Sequence, residues 1–313
     1  LLLNTPSHFV AVDMGSSNVR LFLCRWDGAR FWLNEVHRFD NAPVELMDSL
    51  YWDVMRIWNE IKVGLARCEA ESEFPITSIG VETWGIDFGL LDAAGELLNN
   101  PYCYRDRRTE GMPEQVFARV PLREIFERTG LMFWQINTLY HLYSMAQVDD
   151  PRLQIADCYL MTPDLINFWL TGERRAEFTI ATTTQFFDWR ARDWDRDLLA
   201  RLDIPTHFLP PIIEPGTVVG TVREAVAREV GFKQSVRVIA PGGHDTACAI
   251  AGVPGMDAHS AFISSGTWSI LGIEVDQPVL TDEAFRFGFT NEGGVGGKFL
   301  FIKNITGLWL LQE

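Results

Sequence analysis

Cysteine is sparse and widely scattered in this sequence: Cys24, Cys68, Cys103, Cys158 and Cys248 form no C-x-x-C pair and no zinc-like spacing. A disulfide framework and a cysteine-bound metal are thereby set aside, and reduced thiols of a cytoplasmic protein are expected. Positive charge is equally short. With 27 Lys and Arg against 42 Asp and Glu, the formal net charge is −15. Nucleic acid, whose phosphates need a basic face, and an anionic membrane surface are excluded as partners, and an anionic substrate would need local basic residues or a metal ion. No apolar run reaches the roughly 18 residues of a membrane span. The opening Leu1-Leu2-Leu3 runs straight into polar residues and does not read as a signal segment.

Two familiar phosphate motifs are also missing. Gly293-Gly294-Val295-Gly296-Gly297-Lys298-Phe299 has the wrong glycine spacing for a P-loop and no Ser or Thr after Lys298, so it reads as a hairpin loop. No Gly-rich loop is accompanied by the HRD and DFG partners of protein kinases. The remaining 313-residue chain, 47% hydrophobic, is long enough to bury a large core in one or two domains.

The chain is organised around Ile239-Ala240-Pro241-Gly242-Gly243-His244-Asp245-Thr246-Ala247. An apolar β-branched run (Val236, Val238, Ile239) reads as a buried strand, breaks on Pro-Gly-Gly, and re-enters a small-residue helix near Thr246. Such corners bring a side chain to the carboxyl end of a sheet, where α/β proteins place ligands. Asp245 is therefore a candidate general base; capping of the following helix is the alternative.

Upstream, Phe9–Val12, the polar turn Asp13–Arg20 and Leu21–Leu23 predict a hairpin, with a third strand over Ala29–Val36. The apolar spacing of Met55, Ile57, Trp58, Ile61 and Leu65 predicts a helix over Asp53–Cys68. Strands are expected over Ile76–Gly85 and Ile86–Leu91. Residues 101 to 235 read as mostly helical, with helices at 113–119, 121–128, 138–147, 162–170, 195–202 and 224–231. A second hairpin, Ala261–Ile273, repeats the order of elements of the first, which suggests two related domains facing each other across a cleft. The expected division is 1–250 and 251–313, with a helix starting near Asn304 and the second lobe truncated.

Phosphate binding by backbone N–H groups needs small residues, because several donors must converge on one anion. Gly15-Ser16-Ser17, with Arg20 as a nearby charge, and Ser264-Ser265-Gly266-Thr267 both qualify, although such turns also occur without function. Phosphoryl transfer to a hydroxyl asks for a base at the acceptor and a metal to screen the phosphate oxygens. Asp13, ending a strand beside the first turn, is a candidate magnesium ligand through water, with an Asx-turn as the alternative. Thr83-Trp84-Gly85-Ile86-Asp87 offers hydroxyl-reading groups, an aromatic wall and a glycine for close approach, a sugar-site composition; a core role for Trp84 is the alternative.

Taken together, several runs resemble the FGGY carbohydrate kinases: Val10–Gly15 through Arg20, Glu82–Phe88, His244–Ala247, Ser264–Ser269, Asn291–Gly294 and Lys303–Gln312, with Tyr104-Arg105-Asp106-x-Arg108-Thr109 and Thr179–Gln185. The resemblance implies an α/β, actin-like ATPase (ribonuclease H-like) fold of two lobes and ATP- and Mg²⁺-dependent phosphorylation of the C1 hydroxyl of L-rhamnulose. L-fuculose, L-xylulose and a non-catalytic sugar sensor are the alternatives. By position, Asp245 matches the proton acceptor, Gly85, His244, Thr246 and Asn304 match sugar-binding residues, and Ser16, Ser17, Asn18, Val19, Arg20, Thr267 and Gln312 match ATP-binding ones. Asp87 and Asp106 are added as residues near the sugar. Beyond the ketose and ATP, no obligate protein partner is implied. The family has Gly where Val19 stands, and a β-branched residue tolerates positive φ poorly, so a different turn backbone, or strain, is expected here. The family also continues beyond position 313 with a Gly-rich adenine-side loop.

Overall fold

A computed structural model describes residues 7–257, 259–265 and 268–307 of the chain. Two sheets dominate it. The larger has six strands in the order Val218–Thr221, Arg237–Ile239, Ile76–Thr83, Ser7–Met14, Asn18–Trp26 and Phe31–Asp40. The last three form the expected meander: Met14 pairs with Val19 across the first turn, and the third strand runs four residues beyond its expected end at Val36. The first strand also pairs in parallel with Ile76–Thr83, which in turn pairs in parallel with Arg237–Ile239.

Val19 needs no special backbone. It lies in the strand with its side chain fully buried, and it is not among the described residues with positive φ. The strain expected from a β-branched residue does not arise, because the turn proper is Gly15-Ser16-Ser17 and Val19 already belongs to the pleat. Position 19 thus presents its side chain to the core and not to a ligand.

The helix Val54–Glu71 covers one face of this sheet. Asp53 caps it by accepting from the Arg56 N–H, and Ile57, Ile61, Leu65 and Cys68 bury a stripe at helical spacing. Full burial of each such aliphatic side chain contributes roughly 1.5–3 kcal/mol. Gly64 lets the helix lie close: a Cβ there would stand 2.7 Å from Leu21 Cδ2. No described helix is long and apolar enough to cross a membrane.

The middle of the chain carries the expected helices, Met112–Arg119, Leu122–Thr129, Thr138–Ala146, Thr162–Thr171, Arg196–Arg201 and Glu224–Val230. It adds a short helix, Phe178–Thr182, that no periodicity announced.

The second sheet is antiparallel, in the order Phe262–Ser265, Trp268–Val275, Phe299–Thr306, Thr290–Gly293. Its first two strands are the second predicted hairpin, with Ser265 opposite Ser269. Residues 294–298 are a hairpin loop, as their failed P-loop spacing suggested. The helix expected to start at Asn304 does not: Asn304 and Ile305 pair with Ile270 and Ser269 in a strand that runs through Thr306. Cross-strand pairing overrode a local helix-start signal. On its buried face this sheet packs Phe262, Leu300 and Ile302 against Ala247 and Ile250 of the helix Asp245–Ala251, so the corner at Asp245 is docked directly on it.

Candidate active site

A cavity of about 960 Å³ opens between the two sheets. Gly15, Ser16, Ser17 and Asn18 of the first turn line it from one side, and Ser264 and Ser265 of the second line it from the other. Asp245 lies on the same cavity, with Asp13, Glu82, Gly85, His244, Thr246 and Asn304. The first turn, the end of the strand that leads into the second, and the acidic corner, far apart in sequence, therefore converge on one space. Thr267 and Gln312 lie outside the described residues.

The first turn is built tightly. Gly15 N–H donates to the Asn18 carbonyl at 2.9 Å, and a Cβ on Gly15 would stand 2.9 Å from that same oxygen. Asn41 grips the turn from the end of the third strand, donating from Nδ2 to the Gly15 carbonyl at 3.0 Å and from N to the Ser17 carbonyl at 2.9 Å. Arg20 forms an ion pair with Asp13. Glu82 sits beside Asp13 in the parallel register. Its burial, followed by the charges of Asp13 and Asp245, holds its carboxyl well above the usual range, and its Oε2 has no hydrogen-bond partner among the described residues.

The corner itself is clamped from below. Glu177 accepts from the Gly243 N–H at 2.8 Å as well as from the N–H groups of Thr179 and Ile180, and Thr179 Oγ1 accepts from the His244 N–H at 3.1 Å. A side chain at 243 would collide, since its Cβ would lie 2.7 Å from Glu177 Oε2. The N-cap position belongs to His244, so Asp245 is not the cap of its helix. Its carboxylate is half-exposed to the cavity and meets Thr246 Oγ1 at 3.1 Å and His244 Nε2 at 3.3 Å. Burial alone would lower the pKa of His244, but Glu292, whose Oε2 stands 3.1 Å from Nδ1, and then Asp245 outweigh it and raise it to about 9.

Residues 8–252 match the FGGY family of carbohydrate kinases, N-terminal domain. This chain belongs to that family. It is 38% identical over 304 residues to a rhamnulokinase of Oceanobacillus iheyensis, covering 97% of this chain and 64% of that protein. A rhamnulokinase of Bacteroides thetaiotaomicron is 38% identical over 306 residues, 98% of this chain and 63% of that protein. The chain thus spans somewhat under two thirds of the length of these curated relatives. Among solved structures it superimposes on gluconate kinase from Lactobacillus acidophilus with a TM-score of 0.88 at 18% identity, covering 98% of this chain and 62% of that one. Xylulose kinase from Lactobacillus acidophilus gives 0.85 at 18%, covering 95% and 60%. These likenesses establish the α/β, actin-like kinase fold.

Two of the acids expected near a sugar lie off the cavity. Asp87 is fully buried: Trp52 Nε1 and Trp84 Nε1 both donate to its Oδ2, at 2.5 and 2.6 Å. Burial pushes its carboxyl up to about 8 in spite of these donors. Asp106 caps the short turn Arg107–Thr109, accepting from Arg108 N–H at 2.9 Å and from Leu50 N–H at 2.6 Å. Neither lines the cavity. Trp84 itself is mostly buried, its ring tilted 43° to that of Trp52 at 4.6 Å, and a Cβ at Gly85 would stand 3.1 Å from Thr183 Oγ1, a tight contact.

Conversely, Glu82, Glu177, Thr179 and Glu292 belong to the site and were not singled out as site residues. Glu82 has a local signal, since it ends a strand next to Trp-Gly. Glu177 reads locally only as the cap of Phe178–Thr182, and Thr179 has no signal, because the partners that tie them to the corner are backbone groups some 65 residues away in sequence.

Proposed function

We propose that the full-length protein transfers the γ-phosphoryl group of ATP to the C1 hydroxyl of L-rhamnulose, with Asp245 as the proton acceptor. The observation that carries this is the convergence of the first Gly/Ser turn, Ser264 and Ser265 of the second hairpin and the Asp245 carboxylate on one cavity; the rhamnulokinase relatives support the choice of ketose. Asp245 takes the hydroxyl proton as the oxygen attacks in line. Gly15–Asn18 and Arg20 hold phosphate oxygens from the first turn, and Ser264 and Ser265 face them from the second hairpin. His244, Thr246, Asn304 and the backbone at Gly85 read the sugar hydroxyls. Because Asp245 is half-exposed, closure of the two sheets over the sugar excludes water from the transfer.

The donor set fits a magnesium ion. An all-oxygen group in which Glu82 Oε2 is buried without a partner beside Asp13 suits a hard cation that keeps its water. Asp13 would hold it through water, where it screens the phosphate oxygens. We further read 1–250 and 251–313 as parts of two lobes, and the protein as cytoplasmic.

The test is turnover of a ketose panel with ATP and Mg²⁺, with the products identified by ³¹P NMR. L-rhamnulose is expected to give the highest kcat/KM and a 1-phosphate. Faster turnover of L-fuculose or L-xylulose, or no turnover of any ketose, overturns the assignment.

A further inference from the structure

We propose that Glu292, on the strand Thr290–Gly293 of the second sheet, is a positioning residue: it holds the His244 ring as an imidazolium, and that imidazolium holds the Asp245 carboxylate in place for proton transfer. The inference rests on the reading of Asp245 as the base.

The geometry leaves little choice of protonation state. His244 Nδ1 stands 3.1 Å from Glu292 Oε2, and Nε2 stands 3.3 Å from Asp245 Oδ1. A neutral imidazole would set two carboxylates against an uncharged ring; only the doubly protonated ring places positive charge beside both. The contact with Glu292 is an ion pair and not an aligned hydrogen bond, since neither Nδ1 nor Oε2 has a hydrogen-bond partner among the described residues. Both side chains are only 12% exposed, so their attraction is weakly screened.

Of the titratable groups on neighbouring elements, one more carboxylate acts on the ring in the same direction. Glu177, beneath the corner, adds negative potential while accepting from Gly243. Glu82, from the parallel strand, faces Asp245. The Lys303 amine, the basic group that lines this part of the cavity from the second sheet, donates to the carbonyls of Phe287 and Gly288. Burial pushes the Cys248 thiol up to about 12, leaving it neutral. With Glu292 on one sheet and Asp245 on the corner between the sheets, the placement of the second sheet is read out at the base.

Glu292→Gln removes the charge and keeps the shape. Ring NMR of the histidine-labelled protein, with His244 assigned through His244→Gln, is expected to show titration near 9. Glu292→Gln is expected to lower that value by about one unit or more, and Glu292→Asp to restore most of it. In turnover assays kcat of Glu292→Gln falls about tenfold, with KM for ATP unchanged, and its loss at alkaline pH moves to lower pH. A His244 that titrates near 6.5 in the parent, or a titration that Glu292→Gln leaves in place, overturns the inference. If Glu292→Gln does not fold, the parent titration alone decides. The NMR reading needs no turnover, so a raised His244 in a protein that phosphorylates no ketose refutes the function alone, whereas an active kinase with an ordinary His244 refutes this inference alone.

Discussion

Two corners leave neighbouring parallel strands of the larger sheet, and each delivers an aspartate after a glycine turn: Thr83–Asp87 and Gly242–Asp245. They are joined to each other, since Thr83 N–H donates to the Gly243 carbonyl at 3.0 Å. Yet one carboxylate faces the cavity and the other is locked between two indoles. The cause is backbone geometry. At the first corner Ile86 adopts φ 84° and Asp87 N–H donates back to the Gly85 carbonyl at 3.0 Å, a tight three-residue turn that a β-branched residue rarely accepts. Thr138 Oγ1 donates to the Ile86 carbonyl at 2.6 Å and holds the turn, which rotates Asp87 inward. At the second corner Gly243 lets the chain lie against Glu177, and Asp245 emerges at the start of a helix with its carboxylate outward. An aspartate at a strand end is thus a reagent or a strut according to the turn that precedes it.

The sharpest way to separate the two roles is to neutralise each. Asp245→Asn in the full-length protein is expected to cut turnover by about 10²-fold or more with L-rhamnulose binding largely intact, as loss of a positioned base would. Unchanged turnover would make the corners equivalent after all. Asp87→Ala is expected to do the reverse: two buried indole N–H groups lose their acceptor, destabilising the fold by about 3 kcal/mol, read as a lower urea midpoint. An unshifted midpoint would deny Asp87 its structural role.

A further test concerns pH. Asp87 has a folded-state pKa of about 8 against an ordinary 3.8. A raised carboxyl contributes stability that is present at acid pH and is lost as pH rises through the folded value. Chemical denaturation between about pH 5 and pH 9 should therefore show a smaller alkaline loss of stability in Asp87→Asn than in the parent. Identical slopes would mean that Asp87 does not carry this proton.

Much of the site's placement was legible from local pattern. Both hairpins announced themselves through alternation and small polar turns, and the corner at Asp245 through a β-branched run broken by Pro-Gly-Gly. The false P-loop was recognisable because glycine spacing is itself a local property. The errors share a different origin. Asn304 begins no helix because its neighbour across the sheet is Ile270, and Asp106 lies off the cavity, where Leu50, distant in the chain, supplies one of its donors. Glu177 and Glu292 went unnoticed for the same reason, since their meaning lies in Gly243 and His244.

Turn chemistry and hydrophobic period are written within a few consecutive residues, so the strands, the two phosphate-sized turns and the acidic corner could be read along the chain. Which aspartate met the cavity, which histidine acquired two carboxylate neighbours and which backbone took up strain came from packing between segments far apart in sequence. Side-chain direction and charge depend on neighbours, and neighbours exist only once the two sheets are brought together.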